Sequence, residues 1–278
     1  MKKVLFSVLF LAAMTTFALA GERVNLWPEG KIPSFEEHQS IPTYEICVPA
    51  EKKSDTCMII FPGGGYQGCC DQHEGIQISN FYNEKGITAV IVRYRIPRPK
   101  LVPKHVTAWQ DAQRAVRIIR SKAAELGINP EKIGCTGFSA GGHLCLMTAT
   151  SSQTPAYEPV DEIDQIPCHV NFAIPVYPAY VLEDGSNGPN EGKGNNSTMV
   201  NDFAFDAKTP PICLIHGDVD HYSPMGSVAV YHKLRTMNVP AELHIYANVT
   251  HGFGGVRGPE HYKAWLDRVY AWMGVMGF

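Results

Sequence analysis

The chain carries little charge for its size. Charged residues make up 18% of its 278 residues, the formal net charge is −3 at pH 7, and no acidic or basic run is long enough to form a tail. We expect neither nucleic acid nor an anionic membrane as a partner, because nothing in the bulk electrostatics favours them. The 45% hydrophobic share is instead that of a globular protein. The length fits one large α/β domain better than two.

Spacings that bind metal ions are also lacking. Among the eight cysteines, Cys69 and Cys70 are adjacent, and no Cys-x-x-Cys or His-x-x-x-His frame occurs. The sequence therefore predicts no metal site and implies no organic cofactor. Cys57, Cys135 and Cys213 lie in apolar runs, where cysteine often acts as a small buried hydrophobe. Disulfide pairing stays open at this point.

The first 20 residues form a separate unit. Lys2 and Lys3 precede a short apolar stretch, which ends in the small-x-small cleavage site Ala18-Leu19-Ala20. This is the pattern of a secretory signal peptide, and the apolar run is too short for a comfortable membrane anchor. We predict a signal peptide over residues 1–20 and a single catalytic domain over 21–278. The protein would then be exported, to the periplasm or beyond, without stable membrane insertion.

Strand-length apolar runs alternate with helical patterns along the rest of the chain. Strands that are apolar throughout, separated by helices, are typical of a mostly parallel sheet with helices on both faces, an α/β fold. The polar stretch at 183–201 does not fit the alternation and is predicted to be a long loop near the active-site face. Strands are predicted at 43–49, 56–61, 87–94, 132–136, 169–176, 211–216 and 241–246, and helices at 74–85, 105–126, 140–150, 224–237 and 259–273.

One pentapeptide carries a candidate nucleophile. Gly137-Phe138-Ser139-Ala140-Gly141 follows a predicted strand and opens a predicted helix. A tight strand-to-helix turn presents the serine hydroxyl above the sheet, and flanking glycines relieve the crowding there. The helix N-terminus then lies beneath the oxyanion that forms. We predict Ser139 as the nucleophile; the alternative is an ordinary Gly-rich turn with a serine N-cap.

A second glycine-rich segment, Pro62-Gly63-Gly64-Gly65-Tyr66, follows an earlier strand. Consecutive glycines let the backbone approach a substrate closely. No Gly-Lys-Ser/Thr follows, so a phosphate-binding P-loop is excluded. We predict that the N–H groups of Gly64 and Gly65, with that of Ala140, form an oxyanion hole.

Two later segments supply an acid and a base. His216-Gly217-Asp218-Val219-Asp220 ends one strand, and His251-Gly252-Phe253 follows the next. The chain order serine, acid, histidine is that of nucleophile-elbow enzymes. His251 is singled out among eleven histidines by its place after the last strand. Either Asp218 or Asp220 must accept the imidazole N–H.

These motifs resemble those of α/β-hydrolase-fold esterases, and more closely those of exported bacterial carbohydrate esterases known as acetyl xylan esterases. In the family pattern His-Gly-x-x-Asp-x-x-Val-Pro, the acid maps to Asp220, and Ser223 stands where the pattern has Val. The loop begins with Pro62 rather than the histidine of lipid-type esterases, as in the carbohydrate esterases. The resemblance extends from about residue 56 to the end, and other segments that carry it are His73-Glu74-Gly75, Val92-Arg93-Tyr94-Arg95 and Asp111-Ala112-Gln113-Arg114-Ala115.

The resemblance implies hydrolysis of short-chain acetyl esters, on xylan or another plant polysaccharide, through a Ser139–His251–Asp220 triad and an acyl-enzyme. The substrate would be an acetylated carbohydrate or another small ester. Neither the sugar, the hydroxyl position nor the oligomeric state follows from the sequence.

Three residues near the second glycine segment could line a substrate pocket, namely Tyr66, His73 and Glu74. The alternative for His73 and Glu74 is a helix start, where a glutamate suits the dipole. His143, one turn after the nucleophile, is predicted to pack at the base of its helix.

Other functions remain as alternatives on the same fold. A peptidase of the prolyl-oligopeptidase kind would need a propeller domain, for which there is no length. A lipase or long-chain carboxylesterase usually has an apolar helical lid, whereas 183–201 is polar. A catalytically inactive binding protein would be expected to have a broken triad. A formamidase or feruloyl esterase stays open.

Overall fold

The computed structural model describes residues 21–183, 198–255 and 260–278. The strands are β1 Arg23–Asn25, β2 Thr43–Cys47, β3 Cys57–Phe61, β4 Thr88–Arg93, β5 Ile133–Phe138, β6 Phe172–Val176, β7 Ile212–Gly217 and β8 Ala241–Tyr246. The helices are α1 Gln77–Glu84, α2 Val106–Ser121, α3 Ala123–Leu126, α4 Ala140–Thr150, α5 Met225–Thr236, α6 Glu260–Lys263 and α7 Trp265–Met276, with a π-helical turn at Asp71–Ile76 and a 3-10 turn at Glu162–Gln165.

The strands form one sheet in the order β1-β2-β4-β3-β5-β6-β7-β8. β1, β2 and β4 pair antiparallel, and every pairing from β4 to β8 is parallel. The central strands β3, β5, β6 and β7 are buried at every position. Because both faces of these strands are covered, apolar side chains are buried on both faces. The strand sequences therefore do not alternate between apolar and polar residues. The predicted α/β fold class is confirmed.

The two faces of the sheet carry separate apolar cores. In β3, Ile59 and Phe61 belong to the core beneath α2, α4 and α5, while Met58 and Ile60 belong to the core beneath α1 and α7. This follows from the two-residue period of a strand, which sends successive side chains to opposite faces. No disulfide joins the eight cysteines, all of which lie in the described ranges.

Several predicted elements differ in extent. The helix predicted at 74–85 is preceded by the π-helical turn, and the helix predicted at 105–126 is broken at Lys122 into α2 and α3. The closing helix is likewise broken at Ala264. Strand β1 was not predicted, because three exposed residues offer no periodicity to detect.

Two predictions lie mostly or wholly outside the described residues. They are the signal peptide at 1–20 and the polar loop at 183–201, of which 184–197 is not described. Leu182 and Met199, on either side of that gap, form an antiparallel bridge. Within the described ranges, no helix has both the length and the apolarity needed to cross a membrane.

The parallel strands bring the chemistry-bearing loops together. The segments after β3, β5, β7 and β8 all leave the sheet at its carboxyl-terminal edge, which is where ligands bind in open α/β sheets. We call the loops at this edge, which carry Gly63–Gly65, Ser139, Asp220 and His251, the catalytic edge.

Candidate active site

Ser139 occupies the turn between β5 and α4 in an unusual backbone conformation. Its φ of 55° and ψ of −118° lie outside the regions that non-glycine residues favour, which costs on the order of 1–3 kcal/mol. A Cβ added at Gly137 would collide with the carbonyl oxygen of Gly141, and one added at Gly141 would collide with that of Phe61. The two glycines are therefore required by close backbone approach, as the motif predicted.

Ser139, His251 and Asp220 form one hydrogen-bonded chain. The Ser139 Oγ lies 2.7 Å from Nε2 of His251. On the other side of the ring, Nδ1 lies 2.7 Å and 3.0 Å from the two carboxylate oxygens of Asp220. A carboxylate can only accept, so Nδ1 donates and Nε2 is left to accept the serine proton. The fold thus joins three residues that are far apart in the chain.

Asp220, rather than Asp218, meets the imidazole. Asp220 is 7% exposed, whereas Asp218 is exposed to solvent. Burial raises the pKa of Asp220, but hydrogen bonds from His216 and His251 outweigh that effect and lower it to about 2. The backbone N–H of Tyr222 adds a further hydrogen bond of 2.8 Å. Asp220 is therefore an anion at neutral pH and can stabilise an imidazolium.

His216 holds the loop that carries Asp220. It is fully buried at the end of β7. Its Nε2 donates to the carbonyl oxygen of Tyr222 at 2.9 Å, so its Nδ1 accepts from the Ser227 hydroxyl at 2.8 Å. His216 lies in the predicted motif, but no role was predicted for it from the sequence. Its position four residues before Asp220 is the signal that could have indicated a role.

The glycine loop after β3 is a tight turn. The carbonyl oxygen of Gly64 accepts from the N–H groups of Gln67 and Gly68. Gly64 and Gly65 have φ of 131° and 65°, which glycine adopts at no steric cost. Within the described ranges, neither of their N–H groups is bonded to a protein acceptor. Ala140 is the buried first residue of α4, directly after the nucleophile.

Glu74 links the glycine loop to the histidine loop. It is 2% exposed, its Oε2 accepts the N–H of Gly63 at 2.8 Å, and its Oε1 accepts the Tyr177 hydroxyl at 2.7 Å. The Tyr177 oxygen in turn accepts the N–H of Gly254, three residues after His251. Glu74 therefore presents almost no surface to a substrate. It fixes two loops of the catalytic edge relative to each other.

The other candidate pocket residues are placed differently. Tyr66 is fully buried, with its hydroxyl 2.9 Å from Nδ1 of His143, and offers no exposed surface. His73 is half-buried, with Nε2 3.7 Å from a carboxylate oxygen of Glu74. His143 is buried within α4, as predicted, and its Nε2 lies 3.2 Å from Asp202. Burial lowers the pKa of His143, against the opposing effect of Asp202.

Aromatic side chains that the sequence did not indicate surround the histidine. The ring centroids of Tyr177 and Tyr222 each lie 4.9 Å from that of His251. Tyr177 follows β6 and has a φ of 37°. No local pattern marks either tyrosine, because their proximity to His251 depends on neighbouring strands of the sheet.

Four groups of potential metal ligands occur in the described part of the chain, each with ligand atoms within 4.8 Å of one another. In the group at the catalytic edge, Nδ1 of His251 is already engaged by Asp220. The groups are Cys70–His73–Glu74, His105–His143–Asp202, Cys213–Glu242–His244 and Asp220–His221–His251.

Comparison with known proteins places the chain in a family. Residues 44–201, more than half of the chain, match the BD-FAE family model. The chain is similar to the acetylxylan esterase of Xylanibacter ruminicola, with 28% identity over 270 residues that cover 91% of this chain and 50% of that protein. It thus spans half the length of this curated relative.

Solved structures show the same fold. The acetyl ester-xyloside bifunctional hydrolase from Caldicellulosiruptor lactoaceticus is 28% identical, with a TM-score of 0.79 and coverage of 95% of this chain and 99% of that one. The α/β hydrolase MGS-M1, from a Medee basin deep-sea metagenome library, is 24% identical, with a TM-score of 0.68 and coverage of 92% and 96%, and shows the fold alone. The α/β-hydrolase fold and the resemblance to its esterases are both confirmed.

Proposed function

The chain belongs to the BD-FAE family, and from this premise we propose that it is a serine esterase that releases acetyl groups from xylan or another plant polysaccharide. The observation that carries the proposal is the hydrogen-bonded chain from Ser139 through His251 to Asp220. Two similar proteins, an acetylxylan esterase and an acetyl ester-xyloside bifunctional hydrolase, support the acyl group and the sugar.

The reaction proceeds in two halves. In the first, His251 Nε2 accepts the Ser139 proton as Oγ attacks the ester carbonyl carbon, and Asp220 stabilises the imidazolium. The backbone N–H groups of Gly64, Gly65 and Ala140 hold the oxyanion. When the tetrahedral intermediate collapses, the bond to the sugar oxygen breaks and that oxygen takes the proton from His251. An acetyl-enzyme on Ser139 remains.

In the second half, water replaces the sugar. His251 accepts a proton from the water as its oxygen attacks the acetyl carbonyl, and returns the proton to Ser139 Oγ as the acyl bond breaks. The products are acetate and the free serine. Both halves need Nε2 of His251 as a proton acceptor.

We also propose that the protein acts outside the cytoplasm. The support is the pattern of the first 20 residues, with two lysines, an apolar stretch and Ala18-Leu19-Ala20. A plant polysaccharide is too large to enter a cell intact, which fits export. Sequencing the N-terminus of protein recovered from the cell envelope or medium tests this: a start at Gly21 supports it, and a start at Met1 contradicts it.

The esterase proposal is tested on the purified protein. Acetate should be released from acetylated xylan, and p-nitrophenyl acetate should be cleaved faster than p-nitrophenyl octanoate. The Ser139→Ala variant should lose on the order of 10⁵-fold in kcat. A preference for octanoate would contradict the short-acyl assignment, and a fully active Ser139→Ala protein would contradict the nucleophile.

A further inference from the structure

A cavity of about 330 Å³ is lined by none of the residues of the proposed triad. We call it the Tyr180 cavity. Its polar wall is formed by Lys104 and His105, which precede α2, by Tyr180, and by Asp202. Its volume falls in the range of small-ligand sites.

Two aromatic contacts connect this cavity to the general base. The Tyr180 ring centroid lies 5.4 Å from that of Tyr222, which lies 4.9 Å from that of His251. A Cβ at Gly65, in the glycine loop, would lie 3.5 Å from the Tyr180 hydroxyl. In acyl transfer His251 protonates the departing alcohol, so that half of an ester leaves on the histidine side. Through Tyr180 and Tyr222, the Tyr180 cavity is connected to the His251 ring.

The cavity wall offers both hydrogen-bond donors and acceptors. Nδ1 of His105 is buried and makes no hydrogen bond within the described part of the chain, although it lies 3.3 Å from Oδ2 of Asp202. Such a nitrogen gains from a ligand hydroxyl, because an unmet buried polar group is costly. Asp202 is 29% exposed, and its carboxylate can accept. Lys104 places its ammonium 3.6 Å from the Tyr180 ring centroid.

The charges of the wall balance. Burial lowers the pKa of His105 to about 4, so its imidazole is neutral at neutral pH. Lys104 then offsets Asp202, whose pKa is lowered by His143 and His105 against the raising effect of burial. A ligand with many hydroxyl groups suits this wall better than an acyl chain, because hydroxyl groups can bond to Nδ1 of His105 and to the partly exposed Asp202 carboxylate, which an acyl chain cannot do.

We propose that the Tyr180 cavity binds the pyranose ring that carries the ester, holding the sugar through its hydroxyl groups while His251 protonates the departing oxygen. This inference rests on the esterase activity proposed above. Lys104, His105 and Asp202 are then specificity-determining residues, with His105 and Asp202 making direct hydrogen bonds to the sugar.

The test compares a substrate with a sugar and one without. The kcat/KM values for an acetylated xylo-oligosaccharide and for p-nitrophenyl acetate are measured for the wild type, His105→Leu and Asp202→Asn. We expect the oligosaccharide-to-p-nitrophenyl ratio to fall at least ~10-fold in each variant, because each loses a hydrogen bond to the sugar. The control His244→Leu removes a half-buried histidine of β8, outside the cavity, and should leave the ratio unchanged.

Binding of a non-acetylated xylo-oligosaccharide to the wild type and to His105→Leu, measured by calorimetry, gives an independent readout. Weaker binding to the variant supports the proposal. Asp202→Asn could fail to fold, since Asp202 also bonds buried His143; His105→Leu, checked by circular dichroism, then decides. An unchanged ratio and unchanged affinity in folded His105→Leu would overturn the sugar site. A wild type that cleaves p-nitrophenyl acetate but not the oligosaccharide would instead overturn the xylan assignment.

Discussion

Two buried aspartates of this protein face basic side chains in different parts of the fold. Asp220 lies on a loop of the catalytic edge, accepts a hydrogen bond from His251 and lies 3.5 Å from Nε2 of His216. Asp111 lies in α2 and accepts bonds from the Arg95 side chain and backbone N–H and from the Trp27 indole at 2.7 Å. Asp111 and Arg95 are both 0% exposed. We call this second group the Arg95–Asp111 pair.

The difference lies in what each carboxylate is connected to. Burial raises the pKa of Asp111 despite Arg95, whereas histidine hydrogen bonds bring that of Asp220 to about 2. The Arg95–Asp111 pair joins α2 to the segment that follows β4 and to the segment after β1, with Arg95 also bonding the carbonyl oxygen of Thr107. None of these hydrogen bonds reaches Ser139, His251 or Asp220. Of these two buried carboxylates, only Asp220 is hydrogen-bonded to the imidazole that contacts Ser139.

Of the two aspartates, Asp220 is expected to give the largest effect, and that effect is on kcat. Asp220→Asn should lower kcat by roughly 10⁴-fold, because the amide no longer fixes the tautomer of His251 or stabilises its charge. Steady-state kinetics with p-nitrophenyl acetate measures this, and circular dichroism confirms folding. A folded variant within tenfold of the wild type would mean that another group acts as the acid.

For the Arg95–Asp111 pair we expect the reverse, namely a loss of stability with little change in kcat. Asp111→Ala leaves a buried guanidinium without its partner, which should cost about 3–5 kcal/mol of unfolding free energy. The kcat of the protein that still folds should change little. Urea denaturation measures the loss. Lys122→Ala, which removes an exposed pair with Glu125, is the control and should cost less than about 1 kcal/mol.

An intermediate effect on kcat is expected for Glu74, which belongs neither to the proposed triad nor to the Arg95–Asp111 pair. Glu74→Ala removes the acceptor of the Gly63 N–H and of the Tyr177 hydroxyl, so the glycine loop loses its position and kcat should fall roughly 10- to 100-fold. Glu74→Gln keeps one acceptor oxygen and should recover most of the rate. If both variants kept wild-type kcat and differed only in stability, Glu74 would be structural, like Asp111.

The smallest expected effect concerns acid stability. The folded pKa of Asp220 is about 2, below its ordinary value of 3.8, so the group stabilises the fold fully above about pH 4. That contribution is lost as the pH falls towards 2. The difference in unfolding free energy between the wild type and Asp220→Asn should therefore narrow over this range. Chemical denaturation measures the unfolding free energies of both proteins. A difference between them that stays constant from pH 5 to pH 2 would contradict this expectation.

Much of the catalytic edge could be predicted because its signals are local. Ser139 lies between a strand and a helix in one contiguous motif, and α4 spans 140–150 as predicted. Asp220 was separated from Asp218 only by the family resemblance, since both follow β7 within four residues of the strand. Glu74 was assigned to a pocket or a helix start, because its partners Gly63 and Tyr177 lie 11 and 103 residues away.

The sequence by itself predicted the order of most strands and helices, the turn that carries Ser139 and the place of His251 after the last strand, because hydrophobic periodicity and turn geometry act over a few neighbouring residues. Only the tertiary structure decided which carboxylates are structural, which loop Glu74 holds, and that Lys104, His105, Tyr180 and Asp202 share one cavity. Those contacts join segments up to about a hundred residues apart. No local pattern encodes them, since they exist only once the sheet has paired and its two faces are covered.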